Sequence, residues 1–338
     1  MKILVTGGSG FLGQRIVRAL LREGHAVIAF QRKPAPEIAA LGAEVRAGSL
    51  TEMDSLRSAI QECSAVIHVA AKTGVWGSSN EFYATNVVGT RVLLQVMQEA
   101  GVRRLVYCST PSVVSSGGQI QGQDESLPYG RDWLSPYAES KALAEKEVLE
   151  WGQLGKGRVI ALRPHLVFGR GDPHLLPRVI ERARRGRLRI IGDGTNRVDV
   201  TRVENVAIAH LQALHALESP TAINRAYFLS QGEPVNLWGW INSLLGKLDI
   251  PPVEKSVSLR TAYRAGWVCE WAWKLMRRHT VPPMTRFVAV QLATSHWFSI
   301  DNAREQLGYQ PEAHPTGEGV DRYVAAWKAG ETPMGERV

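Results

Sequence analysis

Cysteine is scarce: the 338 residues hold three, Cys63, Cys108 and Cys269. Their spacing makes neither a C-x-x-C pair nor a zinc set, so neither a disulfide scaffold nor a structural metal is expected. Free thiols suit a reducing cytoplasm, which is the expected location. No apolar run is long enough to span a bilayer, and a strand-like run already begins at Lys2. Neither a transmembrane segment nor a signal peptide is therefore expected. Acid is the minority charge, 32 residues against 40 basic ones, for a net charge of +8. Part of the surplus falls in the arginine-rich run 178–189, which has no interleaved aromatics. A solvated helix face accounts for that run, and no nucleic-acid partner is expected. An acidic substrate or partner would still benefit from the field.

What is present is an ordinary globular composition, 44% hydrophobic and 21% charged. The chain is long enough for one large or two closely joined domains. Up to about residue 165, strand-like runs at 3–6, 26–30, 43–47, 65–69, 105–108 and 159–162 alternate with helix-like segments at 11–23, 53–61, 81–100 and 136–151. Alternation of this kind predicts an α/β fold, a doubly wound parallel sheet with ligands at the carboxyl ends of its strands. Beyond Arg163 the alternation weakens and helices dominate. The expected division is a dinucleotide-binding unit over 1–170, completed by about 203–230, and a smaller, mainly helical substrate unit from 171–202 and 231–338.

The first strand runs straight into Thr6-Gly7-Gly8-Ser9-Gly10-Phe11-Leu12-Gly13 and then a helix. In that order the glycines have distinct uses. Gly7 can adopt the tight turn, Gly10 lets the backbone approach a pyrophosphate, and Gly13 lets helix and strand pack closely. The phosphates would sit on the unpaired N–H groups and positive end of the helix, near Phe11 and Leu12. The second strand ends in Phe30-Gln31-Arg32-Lys33, with no acid to accept the ribose hydroxyls of NAD. Arg32 can instead grip a 2′-phosphate and Lys33 adds a point charge, so NADP(H) is the expected cofactor. Ser49 and Leu50 are expected near the adenine. Ala70, Ala71 and Lys72 follow the fourth strand, where small residues let a cofactor cross.

Further on, Tyr137-Ala138-Glu139-Ser140-Lys141 puts a phenol and an ammonium one helical turn apart, on one face. The G-x-x-G-x-x-G spacing followed by Tyr-x-x-x-Lys resembles the short-chain dehydrogenase/reductase superfamily. That resemblance implies hydride transfer at a carbonyl. Tyr137 would be the proton donor, Lys141 would lower its pKa and hold the nicotinamide ribose, and Thr110 would polarise the carbonyl, with Ser112 the fallback. Asn86 resembles the superfamily's structural asparagine. Arg163-Pro164-His165-Leu166-Val167-Phe168-Gly169 resembles the segment that extended members lay along the nicotinamide, which adds Pro164 and Leu166 to the cofactor residues. His165, His174, Lys72 and Arg202 are the nearest candidates to hold an anionic substrate group.

Gly171-Asp172-Pro173, Gly192-Asp193-Gly194 and His296-Trp297-Phe298-Ser299 extend the likeness along nearly the whole chain, which resembles the 3β-hydroxysteroid dehydrogenase branch. Within it, 71–78, 199–201 and 282–287 are most similar to the bacterial 2-alkyl-3-oxoalkanoate reductases of long-chain olefin biosynthesis. The resemblance implies NADPH-dependent reduction of a long-chain 2-alkyl-3-oxoalkanoic acid to its 3-hydroxy acid, with partner enzymes of the same pathway. A 3β-hydroxysteroid or sterol dehydrogenase is the alternative, and a sugar-nucleotide epimerase is disfavoured by Gln31. By analogy, the helices at 81–100 and 136–151 would form a homodimer bundle. Around 260–278, Tyr263, Trp267, Trp271 and Leu275 recur every four residues among Arg264, Lys274, Arg277 and Arg278. That amphipathic helix would suit an alkyl chain, a partner enzyme or peripheral contact with a membrane surface, or simply pack onto the substrate unit.

Overall fold

The computed structural model describes residues 1–331 apart from 116 and 279, so the last seven positions of the segment 231–338 lie outside the described residues. Seven strands form one sheet: β1 (Lys2–Thr6), β2 (Ala26–Gln31), β3 (Glu44–Ala47), β4 (Ala65–His68), β5 (Arg104–Cys108), β6 (Arg158–Pro164) and β7 (Arg225–Leu229). Their order is β7-β6-β5-β4-β1-β2-β3, every pairing parallel. Parallel strands covered on both faces must be apolar along their length. Ile3, Leu4 and Val5, or Val159, Ile160 and Ala161, are accordingly inaccessible to water.

Helices α1 (Gly13–Arg22) and α5 (Val203–Ala216) cover one face, packing Ile16, Val17, Leu20 and Val206 against it. The other face carries α2 (Met53–Ile60), α3 (Gly89–Glu99) and α4 (Pro136–Gln153), through Leu56, Leu93, Met97 and Val148. Strand order reverses between β1 and β4. The crevice beyond their carboxyl ends is where such a sheet takes a ligand.

The chain departs from the local pattern in two places. The stretch 81–100 is not one continuous α-helix: a short helix Ser79–Phe82 leads into a π-helical stretch Tyr83–Val88 before α3 begins. Beyond β6, a small sheet orders strands Val235–Asn236, Arg197–Val198, His296–Phe298 and Ile120–Gln123 side by side. It joins residues more than a hundred positions apart. A separate core around Phe168, Leu176, Val198, Trp238, Leu245 and Tyr323 lies on that side. Among the described residues, no helix is long and apolar enough to cross a membrane.

Candidate functional site

The glycine turn has little spare room. Gly7 has φ +71°, and its N–H donates to Phe30 O across to β2 at 2.8 Å. A Cβ on Gly7 would lie 3.0 Å from the Ala70 backbone, and one on Gly13 would lie 2.1 Å from Gly7 O. A Cβ on Gly10 would meet only Gly7 O, at 3.2 Å, so its other side is open to an incoming group. Helix α1 starts with no side-chain cap and no acid in its first turn. The Gln14 and Arg15 N–H groups bond Gly10 O and Leu12 O at 3.0 Å each, which leaves those of Phe11, Leu12 and Gly13 available to an anion.

The end of β2 carries a second sign of a ligand. Gln31 is 7% exposed, and neither its amide oxygen nor its amide nitrogen has a hydrogen-bond partner. Unsatisfied amides of this kind are costly unless something else pairs with them. Arg32 and Lys33 follow it into water, and among the described residues neither forms an ion pair. Ser49 ties its own turn by bonding Thr51 Oγ1 at 2.9 Å. Leu50 packs on α3, where a Cβ on Gly89 would lie 2.8 Å from it. Together these groups fit one end of a dinucleotide.

Ser135 caps α4 by accepting the Tyr137 N–H at 3.2 Å, with Pro136 preset for the first turn. Tyr137 therefore projects from the first turn and Lys141 from the second. The Tyr137 side chain is half-buried, with the Thr110 hydroxyl near its phenol. Burial holds its phenol above the ordinary range, partly opposed by the Thr110 hydroxyl. Lys141 is 2% exposed and reaches the end of β5, donating to Tyr107 Oη at 2.7 Å and Cys108 O at 2.8 Å. Burial lowers its ammonium to about 8. In this arrangement Lys141 bonds the strand, not Tyr137, and the phenol is raised, contrary to the lowering expected from the sequence. Thr110 Oγ1 donates to Ser112 Oγ at 3.3 Å, so primary and fallback hydroxyls share one cluster.

Asn86 is 2% exposed in the π-helical stretch. It accepts the Lys72 N–H at 2.7 Å and donates to Lys72 O at 3.0 Å and Ser140 Oγ at 2.9 Å; Ser140 in turn donates to Tyr137 O. It thereby ties the segment after β4, with Ala70 and Ala71, to the turn of α4 that bears Tyr137. The other flank is Pro164, at the end of β6, followed by His165 and by Leu166 at φ +39°, a strained backbone for leucine. His165 Nε2 is 2.6 Å from His296 Nδ1, and His296 Nε2 lies 2.8 Å from Gln291 O.

The candidate anion holders fare differently. Arg202 is 1% exposed and bound to Glu318 at 3.0 Å and Glu204 at 3.4 Å, so it is committed to the core. The Lys72 ammonium pairs with Glu81 at 2.5 Å. His174 is exposed at the start of helix Leu175–Arg184, whose N-terminus Asp172 caps. Two residues that the sequence did not mark, Tyr107 and Glu145, also belong here, together with Arg163 of the segment 163–169. Tyr107 holds Lys141, while Glu145 and Arg163 form a buried pair at 2.5 Å behind it. Glu145 stands one turn beyond Lys141 on the same helical face, which was the available signal.

The sequence model of the 3-beta hydroxysteroid dehydrogenase/isomerase family matches residues 4–260. The 2-alkyl-3-oxoalkanoate reductase of Stenotrophomonas maltophilia is 44% identical over 330 residues, which cover 96% of this chain and 99% of that one. The reductase of the same name from Shewanella oneidensis is 40% identical, over 90% of this chain and 81% of that one. Among solved structures, MoeE5 in complex with UDP-glucose and NAD shares the fold with a TM-score of 0.74 and 25% identity, over 98% of this chain and 99% of that one. Family match and relatives agree along nearly the full length, and the chain is an oxidoreductase belonging to the 3-beta hydroxysteroid dehydrogenase/isomerase family, on a short-chain dehydrogenase/reductase fold.

Proposed function

We propose that this protein reduces the 3-keto group of a long-chain 2-alkyl-3-oxoalkanoic acid to the 3-hydroxy acid, using NADPH. The observation that carries the reading is Tyr137 and Lys141 one helical turn apart on α4, with Lys141 bonded to Tyr107 Oη and Cys108 O at the carboxyl end of β5, just ahead of Thr110. Bound in the crevice, the reduced nicotinamide supplies a hydride. Charge then builds on the carbonyl oxygen, and two hydroxyls are needed there. Thr110 donates a hydrogen bond that polarises the carbonyl, and Tyr137 gives up its proton to the oxygen. A phenol held above its ordinary range by burial keeps that proton until a stronger base forms beside it. Lys141, still mostly protonated at neutral pH, offsets the phenolate that remains and holds the nicotinamide ribose.

Gly7, Gly10, Phe11, Leu12 and Gly13 would hold the pyrophosphate. Gln31, Arg32 and Lys33 would hold the adenosine and its 2′-phosphate, with Ser49 and Leu50 beside the adenine. Ala70, Ala71, Lys72, Pro164 and Leu166 would line the nicotinamide half. We assign cofactor binding to 1–170 with 203–230, and the substrate to 171–202 with 231–331. Helices around 79–99 and α4 would pair two copies.

A β-keto acid decarboxylates on standing, so the test runs in reverse. Purified protein receives a long-chain 2-alkyl-3-hydroxy acid with NADP⁺ or NAD⁺, and in parallel a 3β-hydroxysteroid. Reduced nicotinamide is followed by absorbance. Turnover of the hydroxy acid with NADP⁺ supports the reading. Turnover of the steroid alone moves the protein to the sterol alternative.

A further inference from the structure

Helix α6 (Leu259–Leu275) turns its aromatic side outward. Its buried residues, Ala262, Gly266 and Glu270, recur every four positions on the face that meets α7 (Arg286–Ala293). Gly266 permits the approach: a Cβ there would lie 2.7 Å from the Arg286 nitrogen. On the far side Trp267, Trp271 and Leu275 are 55%, 58% and 68% exposed, beside Val268 and Met276. Scattered exposed hydrophobics are ordinary on a protein surface; five within ten consecutive positions form a patch.

The charge around that patch has one sign. Arg260, Arg264, Lys274, Arg277 and Arg278 are all exposed. The one acid between 259 and 278, Glu270, is 6% exposed and turned inward, where it accepts from Arg286 Nε at 2.8 Å and its N–H at 2.7 Å. The solvent side of α6 thus offers indoles, aliphatic groups and cations that form no ion pair among the described residues. Arg182, on the basic helix Leu175–Arg184, donates to Pro283 O at 2.9 Å, which ties the arginine-rich run 178–189 to the segment between α6 and α7.

An apolar patch alone would suit another protein. Long cationic side chains on a helix whose one acid is turned inward, around tryptophans that prefer the headgroup region, instead complement an anionic lipid surface. We propose that α6 is an in-plane docking helix that binds bilayers containing anionic lipid, peripherally and reversibly. Helix α7, beneath it, leads to His296, which touches His165 beside Pro164. The docking face is therefore one helix away from the candidate site, and an alkyl substrate dissolved in the bilayer would arrive close to it.

The test is flotation of the full-length protein with phosphatidylcholine vesicles, with and without phosphatidylglycerol. Wild type should float with the mixed vesicles, much less with phosphatidylcholine alone, and should be released by high salt. Trp267→Ser/Trp271→Ser and Arg264→Glu/Arg277→Glu should each lower partitioning on the order of tenfold. All four positions are exposed, so matched thermal melts check the fold, and the salt and lipid arms need no variant. Failure of wild type to float, or equal flotation of the variants, overturns the proposal. Self-association that depends on Trp267 and Trp271 without flotation also overturns it and assigns the face to a second copy. Flotation needs no substrate, so its failure leaves the reductase reading standing, and the reverse holds too.

Discussion

The Lys141 ammonium lies 2.7 Å from the Tyr107 hydroxyl, with the centre of the Tyr107 ring 4.0 Å away. A residue that spends its length inside the sheet thus fixes a charge at the edge of the site. A hydrogen bond to a charged group is worth roughly 1.5–3 kcal/mol. Tyr107→Phe should therefore lower kcat/KM about tenfold or more, with a smaller effect on stability. Since the lost bond favours the charged amine, the limb of the pH profile set by Lys141 should move to lower pH. An unchanged profile would remove Tyr107 from any positioning role.

Asp199 makes stability depend on pH in an unusual direction. Burial raises its carboxyl to about 7, although the Phe298 N–H donates to it at 2.8 Å. Its ordinary value is near 3.9, so between about 4 and 7 the folded state keeps a proton that the unfolded chain releases. This contribution is lost as pH rises through that window. Asp199→Asn keeps an acceptor for Phe298 and removes the loss. Urea unfolding should show the variant about 2–4 kcal/mol more stable above pH 7 and equal to wild type near pH 4. Parallel curves for the two proteins would contradict this.

Glu145 and Arg163 are inaccessible to water, and Tyr129 donates to Glu145 at 2.7 Å. Removing one partner strands the other charge, so Glu145→Leu or Arg163→Met should each cost about 3–5 kcal/mol. The double variant Glu145→Leu/Arg163→Met should recover much of that loss. Additive costs would show that the pair is uncoupled.

Cofactor choice can be read separately from chemistry. Arg32→Ala/Lys33→Ala should raise KM for NADPH about a hundredfold and leave NADH within a few-fold, since only the 2′-phosphate is lost. Equal losses for both cofactors would mean that these cations do not read that phosphate. Gly13→Ala, whose Cβ would meet Gly7 O at 2.1 Å, should abolish binding of both.

Legibility varied with the range of the forces involved. The parallel sheet could be read from 3–6 through 159–162 because strands buried on both faces are uniformly apolar, whatever their neighbours. Tyr137 and Lys141 could be read because four residues make one helical turn. The π-helical stretch at Tyr83–Val88 could not, since it accompanies bonds from Asn86 to the Lys72 backbone fourteen positions away. Arg202 reads as a free cation until Glu318, far along the chain, closes on it. The period of α6 was visible, but which side faced water was not. Gly266 and Glu270 occupy the inward face because α7 and Arg286 are there to meet them.

The central claim is that Tyr137 delivers the proton at a carbonyl polarised by Thr110. The most direct test compares wild type with Tyr137→Phe on the long-chain 2-alkyl-3-hydroxy acid and NADP⁺, with cofactor affinity measured in parallel by nucleotide fluorescence. The account predicts a fall in kcat of about 10²–10⁴ with cofactor affinity within a few-fold of wild type. Turnover retained within a few-fold would place the proton donor elsewhere and contradict it.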